Sequence, residues 1–395
     1  MRAYRDRRVA IIGAGIGGLT AAIALAQRGI EAEIYEQARE LKEVGAGIGL
    51  GPNAMKVLRL LGLEAAVKER GLTPESIVGR DWATAEILFT VPLRTSAGSQ
   101  YGAASVTLHR SDLHAVLASR VPPERIHLNR QCIAVRSTAQ DAVLMFRDGR
   151  RETTDLVIGC DGLHSSVRAS IDGPDAPRFT GNTAWRALVP AENLPARFRS
   201  GDLSLWRGRG GHLLTYHLPK RDIVNLAAIR ATAEWTAESW SVPASRNELL
   251  SAFPEVHPDL RILFERVQQC FKWGLFDRDP LTRWGFGRAT LLGDAAHPML
   301  PFLGQGAAMA IEDAYVLARE LEASEGDIPA ALLSYDAARI PRTARVQIAS
   351  REEGAVLHDN AASARPFQPQ RLPGFNRDWL YGYDPEQART GSSAG

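Results

Sequence analysis

A chain of 395 residues is long for one ordinary domain and comfortable for two. Its 45% apolar and 23% charged content excludes a disordered or collagen-like polymer, and a formal charge of +2 gives no electrostatic ground for a nucleic-acid or anionic-membrane partner. The three cysteines, Cys132, Cys160 and Cys270, lie far apart with no CxxC pair, which excludes a disulfide framework and a zinc knuckle and points to a reducing, cytoplasmic setting.

Val9 to Ala26 is an uncharged run of 18 residues behind Arg5, Arg7 and Arg8, closing on Ala24-Leu25-Ala26, the outline of a secretory signal. Glycines at Gly13, Gly15, Gly17 and Gly18 argue against it, since each costs ~1 kcal/mol relative to Ala inside a helix. The pattern predicts a strand from Arg8 to Ile12, a glycine turn, and a helix from Ile16 to Gln27 ended by Gly29. No other uncharged run is long enough to span a bilayer. Gly13-Ala14-Gly15-Ile16-Gly17-Gly18 fits G-x-G-x-x-G: Gly13 for the tight turn, Gly15 for close approach of a pyrophosphate, and Gly18 for helix–strand packing. A second strand, Ala32 to Tyr35, ends in Glu36, placed to accept hydrogen bonds from the hydroxyls of an adenosine ribose. At this point the ligand is NAD or FAD.

Further along, Asp155 to Gly159 is an apolar strand leading to Asp161-Gly162 and a Ser-capped helix start. From Thr183 to Arg230 the chain turns to short β-rich runs, Thr183 to Val189, Leu203 to Trp206, Gly211 to His217 and Asp222 to Arg230, which predict an inserted antiparallel sheet. Gly208-Arg209-Gly210-Gly211 reads as a hairpin turn within it. Strand period two puts His212, Leu214 and Tyr216 on one face and Leu213, Thr215 and His217 on the other. Ala289 to Leu292 is another apolar strand, followed by Gly293-Asp294-Ala295-Ala296-His297-Pro298 and a stiff loop; Gly304-Gln305-Gly306 then opens a helix from Ala307 to Leu321. Acids at the carboxyl ends of strands belong to one ligand crevice in a doubly wound sheet. The nine histidines offer no metal site, and Ala388 to Gly395 is a Gly/Ser-rich tail expected to fray.

The order of these three motifs resembles that of the group A flavoprotein monooxygenases, single-chain FAD aromatic hydroxylases, from about Arg8 to Tyr383. The resemblance implies an α/β protein, α+β overall: a Rossmann-like FAD-binding domain in three parts (residues 1–80, 106–180 and 281–350), a substrate domain (81–105 and 181–280), and a C-terminal helical segment (351–395). Carried over residue by residue, FAD would be held by Gly13, Gly15, Gly18, Glu36, Asp294 at the ribityl chain, Gly304, Gln305 and Gly306. Arg110 would contact the phosphates, and Asp161 would lie near the FAD and in the nicotinamide approach path. With no second G-x-G-x-x-G, NADH or NADPH would be a transient co-substrate rather than the tenant of a domain of its own. The aligned backbone dipoles of the helix opening at Gly306 would favour an anionic reduced flavin beside them.

Read on its own residues, His212 is either a general base able to take a phenolic proton or a hydrogen-bonded histidine on a half-buried strand. The segment resembles the one that carries a catalytic His and Tyr in 3-hydroxybenzoate 6-hydroxylases and 6-hydroxynicotinate 3-monooxygenases, with salicylate hydroxylases as relatives. It implies His212 and Tyr216 as catalytic residues, with a pocket including Trp185, Leu214 and Pro298; Trp185-Arg186 either lines that pocket or anchors the first sheet strand. The runs Gly45 to Asn53 and Trp379 to Tyr383 also resemble that subgroup. Gly49 and Leu203 depart from the hydroxynicotinate enzymes, which carry His and Cys there, and Pro301 or a neighbour stands where the hydroxybenzoate enzymes carry Gln. The expected activity is NAD(P)H-driven hydroxylation, through a C4a-hydroperoxyflavin, of a small aromatic acid already bearing a ring hydroxyl, with O2 as co-substrate. The protein is expected to be a monomer or homodimer with no membrane partner. The rivals are hydroxylation of a bulkier substrate such as an antibiotic, and a non-catalytic flavin redox sensor.

Overall fold

The computed structural model describes residues 4, 7–41, 45–173, 177–232, 242–358 and 376–387. The uncharged run at the start is strand Val9–Ile12, a turn, and helix Ile16–Ala26, both packed into the core. Val9–Ile12 lies in the middle of a five-stranded parallel sheet, between Leu156–Gly159 on one side and Ala32–Tyr35 on the other. Ala289–Leu291 and Ile126–His127 form its edges. All four residues of Val9–Ile12 and of Leu156–Gly159 are buried, as expected of strands covered on both faces. Two helices pack over this sheet, Ile16–Ala26 and Gly306–Ala323, and their apolar residues join one core with the strands.

The second layer is an eight-stranded sheet. Its order is Val242–Ala244, Cys270–Asp277, Arg178–Pro190, Ile223–Ala231, Gly211–Leu218, Leu203–Gly208, Ser76–Asp81 and Ile87–Pro92. The four runs predicted between Thr183 and Arg230 are all strands, and the hairpin turn falls at Arg209-Gly210. The sheet is not wholly antiparallel as expected, because Leu203–Gly208 pairs in parallel with Ser76–Asp81. Those strands come from distant parts of the chain, so no hairpin dictates their direction. One face of this sheet packs on a separate core of Trp82, Trp185, Trp206, Phe253, Leu263 and Phe264. The other face looks toward the carboxyl ends of the parallel strands. The tail from residue 388 lies outside the described residues. No helix among those described is long and apolar enough to cross a membrane.

Candidate active site

The glycine turn has the geometry its sequence demands. Gly13 has φ of +103°, and a Cβ there would meet the Cys160 carbonyl oxygen at 2.5 Å. A Cβ on Gly18 would lie 2.0 Å from the Gly13 oxygen, so helix and strand touch only because both residues are glycine. A Cβ on Gly15 would meet nothing within 4 Å, which leaves room beside the backbone for a phosphate. No side chain caps helix Ile16–Ala26, whose N-terminal N–H groups thus remain available to an anion. Glu36 is braced at the end of its strand, accepting from the Ala14 and Ala38 backbone N–H groups at 2.8 Å each. These are the features a dinucleotide phosphate and ribose require, and the residues present fit FAD.

The turn opens into a cavity of about 810 Å³ that runs from Glu36 past Arg110, Asp161 and Asp294 to His212 and Tyr216. Gly13, Gly15, Gly304, Gln305 and Gly306 also line it, whereas Gly18 acts from behind by packing. Asp161 does line the wall, yet its carboxylate is committed to a helix start: it accepts from Ser165 Oγ at 2.5 Å, Ser166 N at 2.7 Å and Val167 N at 3.2 Å. Asp294 differs, being exposed toward the cavity near the start of helix Gly306–Ala323. The Gln305 side chain is buried and accepts from Asn53 Nδ2 at 3.0 Å, so it braces the loop rather than presenting its amide to a ligand. The Gly-Asp-Ala-Ala-His-Pro loop is pinned by Asp313, which accepts from Gly293 N at 3.1 Å and meets His297 Nε2 at 2.5 Å.

The inner end of the cavity is roofed by the eight-stranded sheet. Strand alternation brings His212, Leu214 and Tyr216 to it together, as predicted, and sends Leu213 into the core behind. In the neighbouring strands the same face carries Leu205, Ala227, Ile229, Ala184 and Arg186. The alanines leave the hollow, and larger side chains rim it. Trp185 is a correction: it faces away from the cavity, edge-on to Phe253 at 5.6 Å, because successive strand residues point to opposite faces and Arg186 takes the inward position. Pro298 is a second correction: it is buried behind the wall, its carbonyl accepting from Gln347 at 3.0 Å, while Met299 to Leu303 form the lining.

Burial holds His212 well below the ordinary histidine range, with His358 and Arg207 adding to the effect, so the ring is neutral at physiological pH. Burial likewise pushes the Tyr216 phenol up and keeps it protonated. Arg186 stacks on Trp273 at 5.4 Å and pairs with no carboxylate among the described residues. Gly47 lets the Gly47–Leu50 strand pass against this corner, since a Cβ there would sit 2.4 Å from the Tyr216 hydroxyl. Sequence reasoning named Arg186 only beside Trp185; its signal was a charged residue at an inward position of an apolar strand. His358 and Phe302, which meet His212, carried no local signal.

A dinucleotide cradle continuous with an enclosed chamber roofed by a sheet is the layout of a cofactor-dependent oxidoreductase. The chain belongs to the FAD binding domain family, which it matches over residues 6–350. It is 38% identical over 381 residues to the 3-amino-4-hydroxybenzoate 2-monooxygenase PtnB3 of Streptomyces platensis, covering 95% of this chain and 96% of that one. It is 36% identical over 382 residues to the 6-hydroxynicotinate 3-monooxygenase of Pseudomonas fluorescens, covering 95% of each. The fold superimposes on a salicylate hydroxylase substrate complex with a TM-score of 0.83 at 27% identity, over 99% of this chain and 100% of that one. The protein is an FAD-dependent aromatic-ring monooxygenase.

Proposed function

We propose that the protein hydroxylates a small aromatic monocarboxylic acid that already carries a ring hydroxyl. The observation that carries this reading is the division of labour on one sheet face: a neutral imidazole, a protonated phenol and a guanidinium with no carboxylate partner among the described residues all line the inner cavity. His212 accepts the proton of the ring hydroxyl, leaving an electron-rich phenolate whose ortho and para carbons attack an electrophilic oxygen more readily. The Tyr216 hydroxyl donates to a substrate oxygen, and Arg186 takes the carboxylate, recovering the Coulomb energy its burial forgoes. Bound FAD, with NADH or NADPH as electron donor, would supply the chemistry that delivers one atom of O2 to the ring. Glu36, the glycine turn, Arg110 and Asp294 would hold it, and the apolar wall of Leu205, Leu214, Ile229 and Trp273 would keep water from the reacting carbon. The relatives' substrates, 3-amino-4-hydroxybenzoate and 6-hydroxynicotinate, have the proposed chemistry. The free thiols of Cys132, Cys160 and Cys270 suit a cytoplasmic setting.

The test is a panel of salicylate, 3-hydroxybenzoate, 4-hydroxybenzoate, 6-hydroxynicotinate and 3-amino-4-hydroxybenzoate, scored for product formed per NAD(P)H oxidised. At least one acid should couple tightly. His212→Gln should then lower hydroxylation by about 100-fold or more while flavin reduction changes little. Equal loss of both steps assigns His212 to binding, and a panel that only stimulates peroxide release removes the proposed substrate class.

A further inference from the structure

Behind the proposed base lies a chain of side chains whose donors and acceptors can be assigned one by one. Thr180 Oγ1 donates to the Leu275 carbonyl at 2.9 Å. The Thr180 carbonyl accepts from Asn182 Nδ2 at 3.1 Å, which turns the amide oxygen of Asn182 the other way. That oxygen lies 2.9 Å from His358 Nδ1 and can only accept, so His358 carries its proton on Nδ1. Burial lowers the His358 pKa to about 4, so the ring is neutral and its Nε2 is a bare acceptor. His212 Nδ1 sits 2.9 Å from that Nε2 and must donate to it. The proton of neutral His212 is therefore fixed on Nδ1, and its Nε2 lone pair has no hydrogen-bond partner among the described residues and is left to the cavity.

The two imidazoles come from elements 146 positions apart in sequence, strand Gly211–Leu218 and the end of helix Ile328–Leu357. Phe302 packs on both rings, at 5.6 Å from His212 and 5.3 Å from His358. It can do so because the helix presents Gly354 there, where a Cβ would meet the Phe302 ring at 2.4 Å. His358 itself does not line the cavity.

We infer that His358 is the positioning partner of His212: it fixes the tautomer that turns a bare Nε2 toward substrate, and it shares the charge once that nitrogen is protonated. This rests on the proposed role of His212 as the base. The substrate O–H bond breaks, its electron pair stays on oxygen, and an N–H bond forms at His212 Nε2. The Nδ1 proton of the resulting imidazolium is then drawn toward His358 Nε2, so two rings hold one added proton. A lone buried imidazolium has no such relief. The ionisable group that acts on both rings is Arg207 on the adjoining strand, which opposes a positive charge on either; the cavity that His212 lines also carries Tyr216, Arg186 and Glu353 on its wall.

The experiment uses the FAD-loaded enzyme, the panel acid that is hydroxylated fastest, and three variants: His212→Gln, His358→Leu and His358→Gln. Ionisation of the bound ring hydroxyl is read from its ultraviolet difference spectrum against pH, and hydroxylation and flavin reduction from single turnovers. His212→Gln should abolish bound phenolate near neutral pH. His358→Leu should move the pH midpoint of ionisation up by about one unit or more and slow hydroxylation by about tenfold or more, with flavin reduction unchanged. His358→Gln keeps an acceptor for Nδ1 but cannot take a proton, so it should fall between Leu and wild type; if His358→Leu fails to hold FAD, this variant decides. Wild-type ionisation and hydroxylation in the His358 variants, with loss in His212→Gln, overturns the inference and leaves the base standing. Wild-type ionisation in His212→Gln overturns the base reading itself.

Discussion

Arg186 is the residue on which substrate affinity should turn. Its guanidinium faces the cavity, burial lowers its pKa, and the neighbouring Arg110 lowers it further, so an added carboxylate gains an unusually strong partner. Arg186→Met keeps the stacking on Trp273 and removes the charge. Steady-state kinetics should show KM raised by about tenfold or more with a smaller change in kcat, since a charge-assisted hydrogen bond is worth about 1.5–3 kcal/mol. An unchanged KM would place the carboxylate elsewhere. At the same scale, His358 makes stability depend on pH. Its folded pKa of about 4 lies below the roughly 6.5 of an unfolded histidine, so below pH ~6.5 the unfolded chain binds the extra proton. The stability is present above pH ~6.5 and lost as pH falls toward 4, at up to ~1.4 kcal/mol per pH unit for one proton. Denaturant titrations at several pH values should show this slope in wild type and a shallower one in His358→Gln.

Elements owe their positions to a few contacts that tolerate nothing extra. The first strand and helix meet at Gly13 and Gly18, and Gly13 also lies against Cys160, the residue that follows strand Leu156–Gly159. Gly13→Ala asks a side chain to adopt φ of +103° and to overlap a carbonyl oxygen, so it should cost about 1–3 kcal/mol and move the proposed phosphate cradle. The measurement is the FAD retained after gel filtration together with the unfolding midpoint; a fully yellow, equally stable variant would refute the role. The strand Arg178–Pro190 shows the opposite kind of economy. Its alternation sends Trp185 into one core and Arg186 into the cavity, so a single element serves both the packing of the sheet and the lining of the site.

Across the whole molecule, helices Gly306–Ala323 and Ile328–Leu357 are joined by an ion network whose centre, Arg339, Glu312 and Asp313, is fully buried. Arg339 donates to Glu312 and Asp313 at 2.7 Å each, and Arg342 adds a bond to Glu312 at 2.6 Å. Burial alone would raise the pKa of Asp313, but His297 and Arg339 outweigh it and keep the carboxylate ionised. Through Asp313 the network holds Gly293 and His297, and through Asn53 it reaches Gln305, so the loop lining the cavity is tied to the helix core. Arg339→Met leaves buried carboxylates short of a partner and should cost about 3–5 kcal/mol, seen as a lower unfolding midpoint and weaker FAD binding. Unfolding as in wild type would show the network to be dispensable.

What the chain alone determined is local: the strand–turn–helix at Gly13, the acid at Glu36, and the shared face of His212 and Tyr216. Each follows from turn chemistry or a period of two, which need only neighbours in sequence. The parallel pairing of Leu203–Gly208 with Ser76–Asp81, the outward turn of Trp185 and the withdrawal of Pro298 were decided by tertiary structure. So was the partner of the proposed base, because the contact of His212 with His358 spans 146 positions and neither residue's neighbours carry any trace of the other. Backbone sterics and periodicity act within a few residues, whereas the choice of which faces meet is made by burial of the whole chain at once.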